Sequence, residues 1–195
     1  MLFLKGNSHI KPMKEAEIEQ WTNILLSSTN KQTAFSAIVR LTQESLYWHI
    51  RKMVLSHEDT NDVLQNTFLK AWHGLNNFRG DSKITTWLYR IATNETLTFL
   101  SQQRMKNVTS SLDLEEVLLS KLESDTYFSG DETQKKLQKA ILTLPEKQRL
   151  VFQMKYYDDM KYEDMEAILG TSTGALKASY HHAVKKIEHF LLNED

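Results

Sequence analysis

The sequence predicts an all-α protein: two small helical domains joined by a flexible acidic linker. Three observations predict it. Apolar residues recur at three- and four-residue steps along most of the chain, the period of one buried helix face. Only 2 prolines and 6 glycines occur in 195 residues, too few for a turn-rich protein of many strands. Between residues 105 and 130 the helical pattern lapses and the charge turns acidic: Asp113, Glu115, Glu116, Glu123 and Asp125 face only Lys106 and Lys121. That break leaves units of roughly 80 and 60 residues, each with room for only a thin core.

Composition narrows the function classes. A chain with 41% hydrophobic and 25% charged residues is ordinary for a soluble protein, and a cytoplasmic one is expected. With no cysteine there is no disulfide, no thiolate zinc site and no cysteine nucleophile. A formal net charge of −1 argues against indiscriminate nucleic-acid binding, so any DNA contact has to come from local patches or from a partner. The opening MLFLKGNSHIKPMK does not read as a secretory signal, because its apolar run is short and Lys5 interrupts it. No stretch reaches the roughly 20 apolar residues of a membrane span.

Taken in order, residues 1–14 read as a flexible N-terminal arm. Residues 15–26 predict a helix, with Ile18, Trp21 and Leu25 at the helical period. Residues 31–55 predict another, with Phe35, Ile38, Val39, Leu46, Trp48 and Ile50 among its apolar positions; Trp48 suits a core and a partner surface equally. Residues 59–72 predict a third, with Val63, Leu64, Phe68, Leu69 and Trp72 at the same spacing. Asp59 suits its N-cap, since a carboxylate accepts from the free first N–H groups. Gly74 suits the left-handed residue that closes a helix. The polar loop NNFRGDS follows, then a helix over residues 83–104 that turns Ile84, Trp87, Leu88 and Ile91 inward.

Within the acidic stretch, LDLEEVLLSKL reads either as a transient or partner-bound helix or as part of a plain solvated tether. Asp131 restarts regular structure, since DETQ has capping-box spacing, and Leu137, Ile141 and Leu142 face inward. Pro145 suits the first position of the next helix, which buries Leu150, Val151, Met154 and Tyr157. A short helix, KYEDMEAIL, is stopped by Gly170. Ser172 then caps a long last helix, with Leu176, Tyr180, Ala183, Ile187 and Phe190 along one face.

Two constellations bear on chemistry. Phe78, Trp87 and Tyr89 lie close in sequence to Arg79, Lys83 and Arg90. Aromatic faces stack bases and cations hold the phosphates between them; the same residues also describe core aromatics beside solvated surface charge. Near the C-terminus, a short helix, a glycine turn and a long helix describe a helix-turn-helix. Its last helix offers Thr173, Lys177, His181 and Lys185, with Ala178 and His182 beside them, a face that suits a major groove. A helical bundle closing on itself fits the pattern too. Adjacent His181 and His182 point to different helix faces and the other histidines are scattered, so no metal site is expected. There is no phosphate-cradling glycine loop and no zinc helix motif, so neither an enzyme nor a cofactor is expected.

The segments DVLQNTFLKAW and NNFRGDSKITTWLYRIATN resemble region 2 of bacterial RNA polymerase sigma factors. The segment LPEKQRLVFQMKYYDDMKYEDMEAILGTSTGALKASYHHAVKKI resembles region 4 of the same family. Their order and spacing are those of the small extracytoplasmic-function (ECF) group of the sigma-70 family, which has only these two domains. The resemblance implies a sigma region 2 helical bundle over residues 15–104, a linker over 105–130 and a sigma region 4 helix-turn-helix over 131–195. It implies an alternative sigma factor that binds core RNA polymerase, melts promoter DNA, directs initiation and is regulated by a membrane-anchored anti-sigma factor.

By matching position, the resemblance assigns Asp62, Gln65, Asn66, Leu69 and Lys70 to the clamp helices of the largest polymerase subunit. Asn76, Asn77, Phe78, Arg79, Lys83, Trp87, Arg90 and Asn94 would melt and hold the minus-ten element. Ser172, Thr173, Gly174, Lys177, Ala178, His181, His182 and Lys185 would read the minus-thirty-five element as duplex, and the preceding helices would rest on the flap of the second-largest subunit. The acidic linker would thread a basic polymerase channel. Some positions depart from the family's habit. Thr85, Thr93, Ser179, His182 and Val184 stand where cations are frequent, Asn61 and Asn66 where acids are common, and Lys161 where a Ser or Thr cap is usual. Fewer fixed cations imply a shallower salt dependence. Two readings compete: a duplex-binding regulator with a sensory or dimerising helical domain, which would not need NNFRGDSKITTW, and a helical adaptor that binds only protein, for which Lys177→Glu would change no DNA readout.

Overall fold

The computed structural model describes residues 12–27, 30–109, 114–124 and 132–193. Among the described residues there are nine α-helices and no strand: α1 (Pro12–Ser27), α2 (Lys31–Val54), α3 (His57–Gly74), α4 (Ile84–Thr109), α5 (Leu114–Ser124), α6 (Glu132–Leu142), α7 (Glu146–Tyr156), α8 (Tyr162–Leu169) and α9 (Thr173–Asn193). A 3-10 turn (Leu75–Asn77) follows α3. The all-α expectation holds. Residues 1–11 of the expected arm and the expected cap Asp131 lie outside the described residues.

Helices α1 to α4 enclose one core, with Ile38, Leu46, Ile50 and Leu88 wholly buried at its centre. The Asn30 side chain caps α2 by accepting from the Thr33 N–H. That helix ends at Leu55, held at φ 57. A left-handed non-glycine residue costs about 1–2 kcal/mol. Burying the Leu55 side chain against Leu118, Leu122 and Leu142 offsets it.

Two expectations about α3 are corrected. Its N-cap is Ser56, whose Oγ accepts from the Asp59 N–H at 3.3 Å. Asp59 sits within the first turn, where its carboxylate accepts instead from Lys121 Nζ at 2.7 Å. Gly74 is not left-handed; its φ is −81 and the chain runs on into the 3-10 turn. Its missing side chain matters all the same, since the Trp87 ring lies 3.4 Å from where a Cβ would stand. Between α3 and α4 the left-handed glycine is Gly80, at φ 82.

In the C-terminal half Pro145 occupies the N-cap position, one residue before the expected place, and its carbonyl accepts from the Arg149 N–H. Gly170 ends α8 at φ 63, and Ser172 Oγ accepts from the Ala175 N–H, as expected. Ala140, Ile141, Leu144, Phe152, Tyr157, Ala183 and Ile187 make this half's own core.

The acidic stretch contains a formed helix, α5. Leu118 and Leu122 are buried against Leu55 on one side and Leu142 on the other. Lys121 pairs with Asp59, and Glu123 pairs with Lys139 at 3.2 Å. The two halves also meet directly. Met53 and Leu100 share a cluster with Leu150, Val151, Met154, Met165, Ile168 and Leu176. Beside that cluster His49 Nδ1 lies 2.6 Å from Asp158 Oδ2, and Lys52 Nζ donates to Asp158 Oδ1 at 3.2 Å.

Candidate nucleic-acid interface

The segment from the end of α3 to the first turns of α4 builds an aromatic corner. Trp87 stands at its centre, half-buried, its ring 5.1 Å from Phe78 at a 42° tilt. Gly74 leaves room for the indole on one side. In front of it a cavity of about 320 Å³ is lined by Lys70, Gly74, Asn77, Trp87, Ile91, Asn94 and Glu95. Asn77 and Asn94 bring amides that both donate and accept, the chemistry that reads a base edge. Lys70 and Glu95 close the rim as an ion pair at 2.5 Å.

Of the eight residues expected here, Asn77, Trp87 and Asn94 line that cavity. Asn76, Arg79, Lys83 and Arg90 are exposed. Phe78 is not on the surface: it is 8% exposed in the core of α1 to α4, so it backs the Trp87 ring and presents no face to a base. Tyr89, the third aromatic of the constellation, turns the other way. Its ring lies 5.0 Å from His49, and burial, then the Asp158 charge, push its hydroxyl up. Sequence reasoning missed Glu95, which follows Ile91 by one turn on the same face, and Lys31, whose Nζ donates to Asn76 Oδ1 from 45 positions away.

The outer face of α3 carries Asp62, Gln65, Asn66, Leu69 and Lys70, all exposed. Trp72 extends this stripe by one turn. It was expected to face inward, yet it is 40% exposed, beside Leu69 at 51%. The inward stripe is Val63, Thr67 and Ala71, which leaves no room for an indole on that side. Trp72 leans on Phe35 at 5.4 Å.

The third surface is the α8–turn–α9 unit. Leu176, Ala183 and Ile187 face inward from α9. Ser172, Gly174, Lys177, Ala178, His181, His182 and Lys185 are exposed, and Thr173 is half-buried. Lys177 Nζ sits 5.5 Å from the centre of the Tyr162 ring, a cation–π contact that steers the ammonium at the start of the helix. Among the described residues no group of three or more His, Cys, Asp or Glu could hold a metal.

Comparison with known proteins fits this geometry. The family model "Sigma-70 region 2" matches residues 38–105 and "Sigma-70, region 4" matches residues 134–187. The ECF RNA polymerase sigma factor SigW of Bacillus subtilis is 30% identical over 161 residues, covering 77% of this chain and 84% of that protein. The chain belongs to the ECF sigma factors. The ECF RNA polymerase sigma-E factor of Escherichia coli K12 is 29% identical over 189 residues, 88% of this chain and 95% of that one. Two solved structures share the fold. CnrH in complex with the cytosolic domain of CnrY superposes with a TM-score of 0.65 at 21% identity, over 93% of this chain and 99% of CnrH. The sigma factor RpoE in complex with the anti-sigma factor NepR from Bartonella quintana gives 0.61 at 23% identity, over 83% of this chain and 98% of that one.

In this sigma factor the region 2 match contains the Trp87 cavity and the outer face of α3, and the region 4 match contains the α8–α9 turn. Helix α5 falls between the two matches. Among the described residues no helix is long and apolar enough to cross a membrane.

Proposed function

We propose that this ECF sigma factor engages core polymerase through the outer face of α3, holds an unpaired minus-ten base in the Trp87 cavity and reads the minus-thirty-five duplex with α9. The functional units are residues 15–104 and 131–195, with 105–130 between them. The observation that carries the reading is the corner itself: a supported indole face and two amides lining one cavity, on a segment whose Arg79, Lys83 and Arg90 are exposed. Unpairing costs a few kcal/mol per base. Stacking returns about 1–3 kcal/mol per base, and hydrogen bonds to the amides supply more. Promoter opening on this account is driven by binding energy, and the polymerase does the chemistry.

On the polymerase, α3 suits the clamp helices of the largest subunit, and the helices before α9 suit the flap of the second-largest. The solved relative bound to NepR supports an anti-sigma factor as the regulator, and a membrane-anchored one acting on a cytoplasmic sigma factor fits the ECF group.

Transcription from reconstituted core polymerase tests the reading. Wild type is expected to initiate specifically. Lys177→Glu is expected to weaken duplex binding and to lower the slope of log affinity against log salt by about 1. Trp72→Ala is expected to weaken core binding roughly thirtyfold, since an exposed tryptophan anchor is worth about 2 kcal/mol. An unchanged Kd for core would remove Trp72 from the docking face. Tight duplex binding by the protein alone, with no binding to core, would make it an ordinary regulator instead.

A further inference from the structure

We propose that Glu95 sets which base the Trp87 cavity accepts: one whose hydrogen-bonding edge carries an amino group, cytosine, adenine or guanine, and not thymine. The inference rests on the minus-ten role given to that cavity above and names its ligand more closely. Most of the cavity is indifferent to base identity. An indole stacks any base, because every base has a π-face. The Asn77 and Asn94 amides are exposed, and each carries both donors and an acceptor that can turn toward a base. Among the described residues lining the cavity, two have a fixed sense: Lys70 only donates, and the Glu95 carboxylate only accepts. They differ in how firmly they are placed. The Lys70 side chain is 61% exposed on a long flexible stem, whereas that of Glu95, inside α4, is 13% exposed.

A carboxylate this far buried is costly without donors. Before DNA arrives Lys70 supplies them, its Nζ 2.5 Å from Glu95 Oε1. An ion pair to so exposed a lysine contributes little, and the ammonium is drawn to any phosphate that arrives with a base. The carboxylate then needs another donor, and the base in the cavity is the group it faces. An acid in a surface that binds a polyanion is otherwise a liability, since it repels the phosphates that Arg79, Lys83 and Arg90 attract.

Unpairing exposes the Watson–Crick edge of the base. Cytosine presents its N4 amino group there, adenine its N6 amino group, and guanine its N2 amino group beside a ring N–H. Thymine presents two carbonyl oxygens on either side of a lone ring N–H, so a carbonyl meets the carboxylate. Two acceptors opposed in a site that excludes water leave both unsatisfied. Cytosine and thymine have nearly the same size and stack alike, so the acceptor, and not the shape of the cavity, tells them apart.

Forked templates test this in reconstituted holoenzyme, with the minus-ten element already single-stranded and each of the four bases placed in turn at each unpaired position. At one position wild type is expected to initiate about 5- to 150-fold less well with thymine than with the amino-bearing bases, the range of one base-specific pair. Glu95→Gln keeps the shape and brings an amide that can turn to donate, so it is expected to raise initiation with thymine and to draw the four bases together. The absence of any position at which wild type disfavours thymine overturns the proposal. So does a uniform fall in Glu95→Gln across all four bases, which would leave Glu95 a structural partner of Lys70.

A second measurement needs no polymerase. The Trp87 indole N–H resonance of the protein alone, assigned by its loss in Trp87→Phe, is followed during titration with dCMP, dAMP, dGMP and dTMP. Wild type is expected to need at least about fivefold more dTMP than any of the other three for the same shift, and Glu95→Gln to close that gap. An equal response to all four, or a response to none, refutes the proposal. If the holoenzyme initiates on no template while the titration shows the preference, the sigma reading falls and the base preference of the cavity stands.

Discussion

Trp87→Ala is expected to lower open-complex formation on duplex promoters roughly 5- to 150-fold, the range set by a lost stacking partner worth about 1–3 kcal/mol. The indole does two things. One face is backed by Phe78 and slotted over Gly74, which fixes the ring before DNA arrives. The remainder lines the cavity between Asn77 and Asn94, where an unpaired base would find both a stacking surface and hydrogen-bonding amides. Alanine removes the stack and also some packing, so a folding defect has to be separated from a melting defect. A template already mismatched across the minus-ten element makes the separation. On it Trp87→Ala is expected to recover most of its initiation, because the unpairing cost has been removed. Trp87→Phe, which keeps an aromatic face, is expected to fall between wild type and alanine on duplex. Equal open-complex formation by Trp87→Ala and wild type on duplex would contradict the role given to this cavity. The effect should not extend to core binding, since Asp62, Gln65, Asn66 and Leu69 on the exposed face of α3 do not line the Trp87 cavity.

The helices were legible because their signal is local. An apolar residue every three or four positions marks a helix, and Gly170 and Ser172 punctuate the helix-turn-helix as their chemistry suggests. Which side of a helix faces in was harder to read. In α3 the apolar arc is wide, and the true inward line runs through Thr67. Its hydroxyl donates to the Val63 carbonyl at 2.8 Å, so a residue counted as polar is satisfied and buried. Thr42 and Thr96 do the same toward Ile38 and Ala92. With threonine filling the core positions, Leu69 and Trp72 are released to the surface, where an interface can use them. The cap of α3 was misplaced because Ser56 and Asp59 are both good cap residues, and only the backbone decides between them. The contact between the halves had no local signal. His49 and Asp158 are 109 positions apart, and neither looks unusual among its neighbours.

That pair supports the second large expectation: Asp158→Ala should destabilise the closed arrangement by an amount limited by how easily the halves part. Breaking one partner of a buried ion pair costs about 3–5 kcal/mol when the remaining charge must stay buried. Here His49 and Lys52 have an exit, because opening returns both to water while each half keeps its own core. Chemical denaturation followed by probes in the two halves is therefore expected to lose its coincidence in Asp158→Ala, with the halves unfolding separately. The same carboxylate sets a pH dependence. Burial pushes the Asp158 carboxyl up, but the charges and hydrogen bonds of His49 and Lys52 together outweigh that and hold it below its ordinary 3.8. A carboxyl more acidic in the folded state binds fewer protons there than in the unfolded chain, so the closed state loses stability as pH falls. This contribution is in full force above the ordinary value and is lost as pH drops through the lowered one. The distance between spin labels on the two halves should hold at mildly acidic pH and lengthen only below about pH 4. In Asp158→Asn, which has no proton to gain, that acid step should disappear; an identical acid profile in wild type and Asp158→Asn would mean that some other carboxyl controls the closure.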